Sequence, residues 1–157
     1  MSIRKSSPDE APTLSAIALG AKQYWGYPEH WIKRWEADLT ISEDFIRNNH
    51  VYVYERDREI CGFYALCVSG ARAELEHMWV APAYIGSGVG KELFLDAMDR
   101  STAMNVRNVD ITADPNAAGF YERMGAIRTG DVVSEIDGQP RILPRMTIKP
   151  PNNEHEN

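Results

Sequence analysis

Cysteine is scarce in this chain: there are only Cys61 and Cys67. Both lie in one apolar run, and six strand residues span roughly 20 Å, well beyond disulfide reach. They read as reduced thiols of a reducing compartment. No apolar run approaches the roughly 20 residues of a membrane helix. The start, Met1-Ser2-Ile3-Arg4-Lys5, is basic but has no apolar stretch behind it, so no signal peptide is expected. The expected location is therefore cytoplasmic, with no membrane partner. His30, His50, His77 and His155 show no H-E-x-x-H or C-x-x-C spacing, so no metal site is expected. Positive charge is also short. The 17 Lys and Arg face 23 Asp and Glu, a net charge of −6, which argues against a nucleic-acid partner.

What is present suits one ordinary domain. The 157 residues are 43% hydrophobic, enough to bury a core without disulfide or metal staples. A charged fraction of 25% argues against wholesale disorder. There is no internal repeat and no linker. Residues 1–149 read as a single domain, and residues 150–157 as a disordered tail.

The periodicity then gives an element order. Residues 2–6 fit a short strand. Ser7-Pro8-Asp9-Glu10 reads as a helix start, with a cap, a proline and acids facing the dipole. Leu14, Ile17 and Ala18 continue at helical spacing, and Gly20 weakens the far end. Further helices are expected over Pro28–Asp38 and from Ser42 to about Asn49. His50–Glu55, Ile60–Val68 and Arg72–Val80 read as strands, separated by turns at Arg56–Glu59 and Ser69-Gly70. A helix follows the glycines at 86–90, burying Val89, Leu93, Phe94, Ala97 and Met98. Val106–Ala113 reads as a strand. Asp114-Pro115 opens a short helix ending at Gly125. Residues 126–136 and 141–148 form a hairpin around Asp137–Pro140. The central strand–helix–strand crossover must join parallel strands, so the sheet is mixed.

Gly86-Ser87-Gly88-Val89-Gly90 sits between a strand and a helix, a geometry that presents free amides to phosphates. A P-loop fails, because Ile85 and Glu92 stand where glycine and Ser/Thr are required. A dinucleotide fingerprint fails at Lys91 or Leu93, according to where it is started. A nucleophile elbow fails at Ile85. A flexible turn ahead of a good helix remains the plain alternative. On the preceding strand, Leu75, Met78 and Val80 cannot share one face. Either both faces are buried or a bulge leaves backbone groups unpaired there.

The run Leu75-Glu76-His77-Met78-Trp79-Val80-Ala81-Pro82, followed by Gly86–Gly90, resembles the acetyl-CoA-binding motif of the GNAT superfamily of N-acetyltransferases. Asp114-Pro115-Asn116-Ala117-Ala118-Gly119-Phe120-Tyr121-Glu122-Arg123-Met124-Gly125-Ala126 resembles that family's next motif. The resemblance is specific over residues 50–148. It implies an α/β (α+β) fold with a mixed central sheet of about six to seven strands flanked by helices. It also implies acetyl-CoA as co-substrate. The strand Met78-Trp79-Val80 would pair with the pantetheine arm. The loop Ile85, Gly86, Ser87, Gly88, Val89, Gly90 and Lys91 would hold the pyrophosphate, with Asn116 and Phe120 as further cofactor contacts. Two departures stand out. Ile85 replaces the usual Arg or Gln, and Asp114 replaces the usual Asn, with Asn116 two residues on.

Acetyl transfer to an amine needs a neutral nitrogen, a polarised thioester carbonyl and a proton for the leaving thiolate. The resemblance gives Tyr121 the proton-donor role. Its stripe with Ala117, Phe120 and Met124 also fits a core position. Glu76, and after it Glu74, are the candidate bases; exposed edge charges are the alternative. The Met78 amide would serve as oxyanion donor. Three of the four tryptophans fall between positions 25 and 35. Tyr24, Trp25 and Tyr27 are the candidate acceptor pocket, while Trp31 and Trp35 pin a helix. The expected reaction is direct attack, in a ternary complex, by a primary amine: a small molecule, a peptide N-terminus or a lysine. The alternative is a catalytically silent acyl-CoA-binding regulatory module. An exposed final hairpin could pair two copies as a homodimer.

Overall fold

Ser7 and Glu10 set the first helical turn of the chain, because the Ser7 amide donates to Glu10 Oε1 at 2.9 Å. A computed structural model describes residues 2–152. Strand β1, Ser2–Lys5, precedes that turn, and helix α1, Ala11–Tyr24, follows it. Gly20 does not end α1. A Cβ there would lie 3.4 Å from the Pro82 ring, so its bare backbone admits that close approach. Helices α2, Glu29–Leu39, and α3, Glu43–Asn48, come next. Ser42 caps α3 as the sequence predicts, its Oγ accepting from the Phe45 amide at 3.0 Å.

Strands β2, His50–Arg56, β3, Glu59–Ser69, and β4, Arg72–Val80, follow. The β2–β3 turn holds Asp57 and Arg58 at φ of 52° and 68°, the paired left-handed geometry of a two-residue hairpin. After β4 come helix α4, Val89–Ala103, strand β5, Asn108–Thr112, helix α5, Ala118–Arg123, and the hairpin β6, Ile127–Ile136, with β7, Gln139–Ile148. Asp137 and Gly138 make its tight turn, at φ of 51° and 76°.

Two elements are shorter than the sequence suggests. Strand β5 starts late because the Val106 amide is taken by the Ser101 carbonyl at 2.9 Å. Helix α5 starts at Ala118, not at Asp114-Pro115. Asp114 Oδ1 accepts from the Asn116 amide at 2.8 Å and holds residues 114–117 in a turn before the helix.

The seven strands form one mixed sheet in the order β1-β2-β3-β4-β5-β7-β6. The pair β4–β5 is parallel, whereas β5–β7 and β6–β7 are antiparallel. The β4–β5 register runs from Arg72 opposite Asn108 to Glu74 opposite Asp110. β4 continues six residues beyond that point to Val80.

The chain divides into two compact units. The first holds the residues up to Ala65 with His77–Phe94, and the second holds Leu66–Glu76 with the chain from Leu95 on. The first unit packs α1 through Leu14, Ile17 and Ala18 onto Val51, Val53 and Phe63. Full burial of one such leucine stabilises by about 1.5–3 kcal/mol. The second unit buries Val109, Ile111, Met146 and Tyr121. On α4, the expected inward face of Val89, Leu93, Phe94, Ala97 and Met98 is buried. Of the expected tail, residues 153–157 lie outside the described residues. Pro151 is tied in, its carbonyl accepting from Thr102 Oγ1 at 2.6 Å.

Candidate active site

In the first unit, β4 leads into the glycine loop. His77 and Trp79 share one face of β4 by strand alternation. Trp79 Nε1 donates to His77 Nδ1 at 3.0 Å. The His77 ring packs 5.7 Å from Phe45 and 6.2 Å from Phe63. Burial pushes its pKa down to about 4, with Asp38 opposing, so the imidazole is neutral near pH 7. The Trp79 indole is thus committed to the core. Met78 and Val80 belong to the opposite face of the strand.

Beyond Pro82, Ser87 donates its amide to the Tyr84 carbonyl at 3.2 Å. Gly86 and Gly88 adopt φ of +85° and +92°, with nothing within 4 Å of where a Cβ would stand. Only glycine takes these angles without strain. The first helical bond of α4 runs from the Glu92 amide to the Gly88 carbonyl at 3.1 Å. The amides of Val89, Gly90 and Lys91 thus precede the helix's own bonding, at its positive dipole end. The helix start thus presents N–H groups, whereas the Ser87 amide is turned back into the loop. The Val89 side chain is buried, so that residue contributes its amide alone. Lys91 is exposed and half-buried Ile85 is extended, leading into the loop.

In the second unit, the carboxylates of β4 meet a residue that the sequence did not single out. Arg145 of β7 donates from Nη1 to Glu74 Oε2 at 2.6 Å and from Nη2 to Glu74 Oε1 at 2.9 Å. Its Nη1 also donates to Thr112 Oγ1 at 2.8 Å. Its Nη2 lies 3.9 Å from Asp110, which is itself paired with Arg72 at 2.9 Å. Glu76 shares the face of Glu74. Although the residue is exposed, its carboxyl is shifted upward, first by desolvation and then by Glu74, with Arg145 opposing. Cys67 of β3 is pushed up to about 11 by burial, then by Glu76 and Glu74. Such a thiol is a poor nucleophile.

Tyr121 of α5 is only 7% exposed, so the core position that its stripe suggested is real. Burial, then Asp114, raises its phenol above the ordinary range. Phe120 is half-buried, its ring edge-on to Tyr121 at 5.3 Å. Asn116 turns inward on its own loop, with Nδ2 donating to Asp114 Oδ1 at 3.1 Å. Asp114 also lies 3.7 Å from Arg141. The aspartate at this position thus builds the turn ahead of α5.

The aromatic residues of the N-terminal region separate into two groups. Tyr24 and Trp25 are 56% and 39% exposed and meet edge to face at 5.9 Å. Tyr27 does not join them. It packs on Trp31 and Trp35 at 6.1 and 5.0 Å. Lys22, a buried lysine of α1, places Nζ 4.3 Å from the Trp35 ring centre and 5.1 Å from that of Tyr27. The cation facing these rings is the chain's own lysine. Sequence spacing offers one signal for this box: Lys22, Tyr27, Trp31 and Trp35 straddle the α1–α2 turn.

Residues 47–125 match the acetyltransferase (GNAT) domain family. Solved structures share the fold over nearly the whole chain. A GCN5-related N-acetyltransferase from Rhodopseudomonas palustris superposes with TM-score 0.79 at 19% identity, covering 94% of each chain. PaiA N-acetyltransferase from Thermoplasma acidophilum, in complex with coenzyme A, gives 0.72 at 23% identity, covering 94% of this chain and 98% of its own. A spermidine N-acetyltransferase chimera from Vibrio cholerae and hSSAT gives 0.73 at 19%, covering 94% of each. No curated protein matches the chain. The mixed sheet and the glycine loop opening α4 are those of an acyltransferase fold. The chain belongs to the GNAT acetyltransferase family.

Proposed function

We propose that the protein transfers the acetyl group of acetyl-CoA to a primary amine, by direct attack within a ternary complex. The observation that carries this reading is the set of amides of Val89, Gly90 and Lys91 at the start of α4, reached through two positive-φ glycines. A pyrophosphate fits such donors and needs no cationic pocket. That matters in a chain of net charge −6, whose overall field opposes an anionic ligand. Lys91, exposed on the first turn of α4, adds one local positive charge. The backbone of Met78 and Val80 would hold the pantetheine arm, with the Met78 amide polarising the thioester carbonyl. Phe120, Ile85 and Ser87 complete the proposed cofactor contacts, although the Ile85 and Ser87 amides are themselves spent on the Pro82 and Tyr84 carbonyls. Asn116 is a weaker member of that set, because its side chain is spent on Asp114.

Glu76 would accept the proton of the ammonium, and Tyr121 would supply one to the departing thiolate. Tyr24 and Trp25, exposed and adjacent, are the aromatic residues that remain for the acceptor. An acidic chain suits a cationic amine, and one structural neighbour is a spermidine N-acetyltransferase. The chemistry needs no metal, and we place the protein in the cytoplasm.

One observation favours the second reading, a silent acyl-CoA-binding module. Burial holds the Tyr121 phenol above its ordinary range, which makes donation to a thiolate harder. The test measures free thiol released from acetyl-CoA across a panel of small amines, peptides and lysine-containing substrates. Release with one acceptor class supports the enzyme. Stabilisation by acetyl-CoA with no release from any acceptor supports the module. Thermal stabilisation by ATP or NAD in place of acetyl-CoA would overturn both.

A further inference from the structure

Glu74 and Glu76 are two residues apart on one face of β4, and the protein treats them differently. Glu74 is gripped at both oxygens by one guanidinium, at 2.6 and 2.9 Å. That fork–fork pairing fixes the orientation of the carboxylate and occupies its acceptor sites. The guanidinium is itself fixed from two further sides. Thr112 Oγ1 accepts from it at 2.8 Å, and Asp110 stands 3.9 Å away. Arg72 holds Asp110 in turn at 2.9 Å. Four strands' worth of groups therefore converge here: Cys67 of β3, Glu74 and Glu76 of β4, Thr112 and Asp110 of β5, and Arg145 of β7.

We propose that Arg145 is a positioning residue for proton transfer: it locks Glu74 in an ion pair and leaves Glu76, two residues along the same face, to take the proton from the acceptor ammonium. The inference rests on the acetyltransferase reading and sharpens it by dividing the labour between two candidate bases. In the step, one proton passes from R–NH3+ to the Glu76 carboxylate. The products are R–NH2 and a neutral carboxylic acid, and no bond to the protein forms. Glu74 stays paired with Arg145 throughout. The groups that act on Glu76 have opposite effects. Glu74 beside it disfavours its anion, and Arg145 favours it. Cys67 stays a neutral thiol and adds no charge near neutral pH.

Two variants therefore move the same titration in opposite directions. Arg145→Gln removes the favourable charge and frees Glu74, so Glu76 becomes harder to ionise. Glu74→Gln removes the repelling neighbour, so Glu76 becomes easier to ionise. The acid limb of the pH profile of kcat/KM should move up by about one pH unit in Arg145→Gln and down in Glu74→Gln. Arg145→Lys should recover most of the wild-type limb, because the charge is kept while the fork is lost. Glu76→Gln should remove the limb. Carboxyl-carbon NMR of the free protein follows Glu76 directly and needs no substrate.

Opposite displacements in the NMR titration and in the rate profile establish the assignment. A limb that stays in place in folded Arg145→Gln overturns it, even if the rate falls. Turnover that survives Glu76→Gln and is lost in Glu74→Gln also overturns it, by making Glu74 the base. The NMR titration separates the two levels of the argument. If no amine is ever acetylated, the acetyltransferase reading fails whatever Glu76 does. If amines are acetylated but Glu76 ignores Arg145, only the present inference fails.

Discussion

The indole Nε1 of Trp79 donates to Nδ1 of His77 across 3.0 Å, on the strand that leads into the glycine loop. This bond requires an unprotonated Nδ1, and burial holds the imidazole neutral down to about pH 4. An unfolded histidine titrates near 6.5. Between these values the unfolded chain binds a proton that the folded chain refuses. Stability from His77 is therefore complete above about pH 6.5 and is lost as the pH falls toward 4, where it levels off. The size is on the order of 3 kcal/mol. Denaturant titrations at steps from pH 4 to 7 should show this slope in the wild type and a flatter one in His77→Gln. Equal slopes would dismiss His77 as the source.

Gly62 of β3 sits against the next strand with no room for a side chain. A Cβ there would stand 2.7 Å from the Trp79 carbonyl oxygen, 3.1 Å from Leu93 Cδ1 and 3.3 Å from Val80 Cα. Two of these are backbone atoms of the strand proposed to bind the pantetheine arm. Gly62→Ala must therefore push β4 aside, at a cost of about 1–3 kcal/mol. We expect a lower unfolding midpoint together with weaker acetyl-CoA binding. A variant that melts and binds like the wild type would show that β4 yields freely.

Much of this was legible in the sequence, and the reasons differ by region. The inward face of α4 could be read because Val89, Leu93 and Ala97 repeat at the helical period. The tight turn of the last hairpin could be read because Asp-Gly tolerates left-handed angles. The turn at Gly86–Gly88 could be read because glycine is the residue that takes positive φ without strain. Arg145 could not. Its partner Glu74 is 71 positions away, and the two are joined only through the order β4-β5-β7, which local periodicity does not encode. The packing of Tyr27 is hidden from the sequence for a related reason. Its cation is Lys22, buried and contributed by α1, and a buried lysine is too rare to expect from spacing. The start of α5 lies later than Asp114-Pro115 suggests, because Asp114 closes a turn over residues 114–117 first.

Gly88 separates the phosphate cradle from a mere turn. It is exposed, at φ of +92°, and a Cβ would touch nothing. Substitution there strains only the local backbone, by roughly 1–2 kcal/mol. Gly88→Glu also brings a carboxylate to where a pyrophosphate would sit. We expect a folded protein that melts a few degrees lower and binds acetyl-CoA at least about 100-fold more weakly, a loss near 2.7 kcal/mol. Calorimetric titration with acetyl-CoA checks it. Retained affinity in the glutamate variant would remove the loop from the cofactor site.

Tyr121 carries the sharpest choice between enzyme and silent module. Its hydroxyl is the one group on α5 suited to give a proton to a thiolate, yet the residue is nearly fully buried beside Asp114. The upward shift keeps the phenol protonated across the working range, so a proton is always available. The same shift makes its release costly, and turnover would depend on the developing thiolate drawing it out. If that is the mechanism, Tyr121→Phe should lower kcat by roughly 100-fold, as for loss of a general acid, and leave acetyl-CoA affinity unchanged. The wild-type profile should also show no descending limb from this residue below about pH 10. Single-turnover rates and equilibrium binding on the same variant separate the two effects. If kcat is unchanged in the phenylalanine variant with a verified acceptor, Tyr121 is a core residue and the thiolate takes its proton from water.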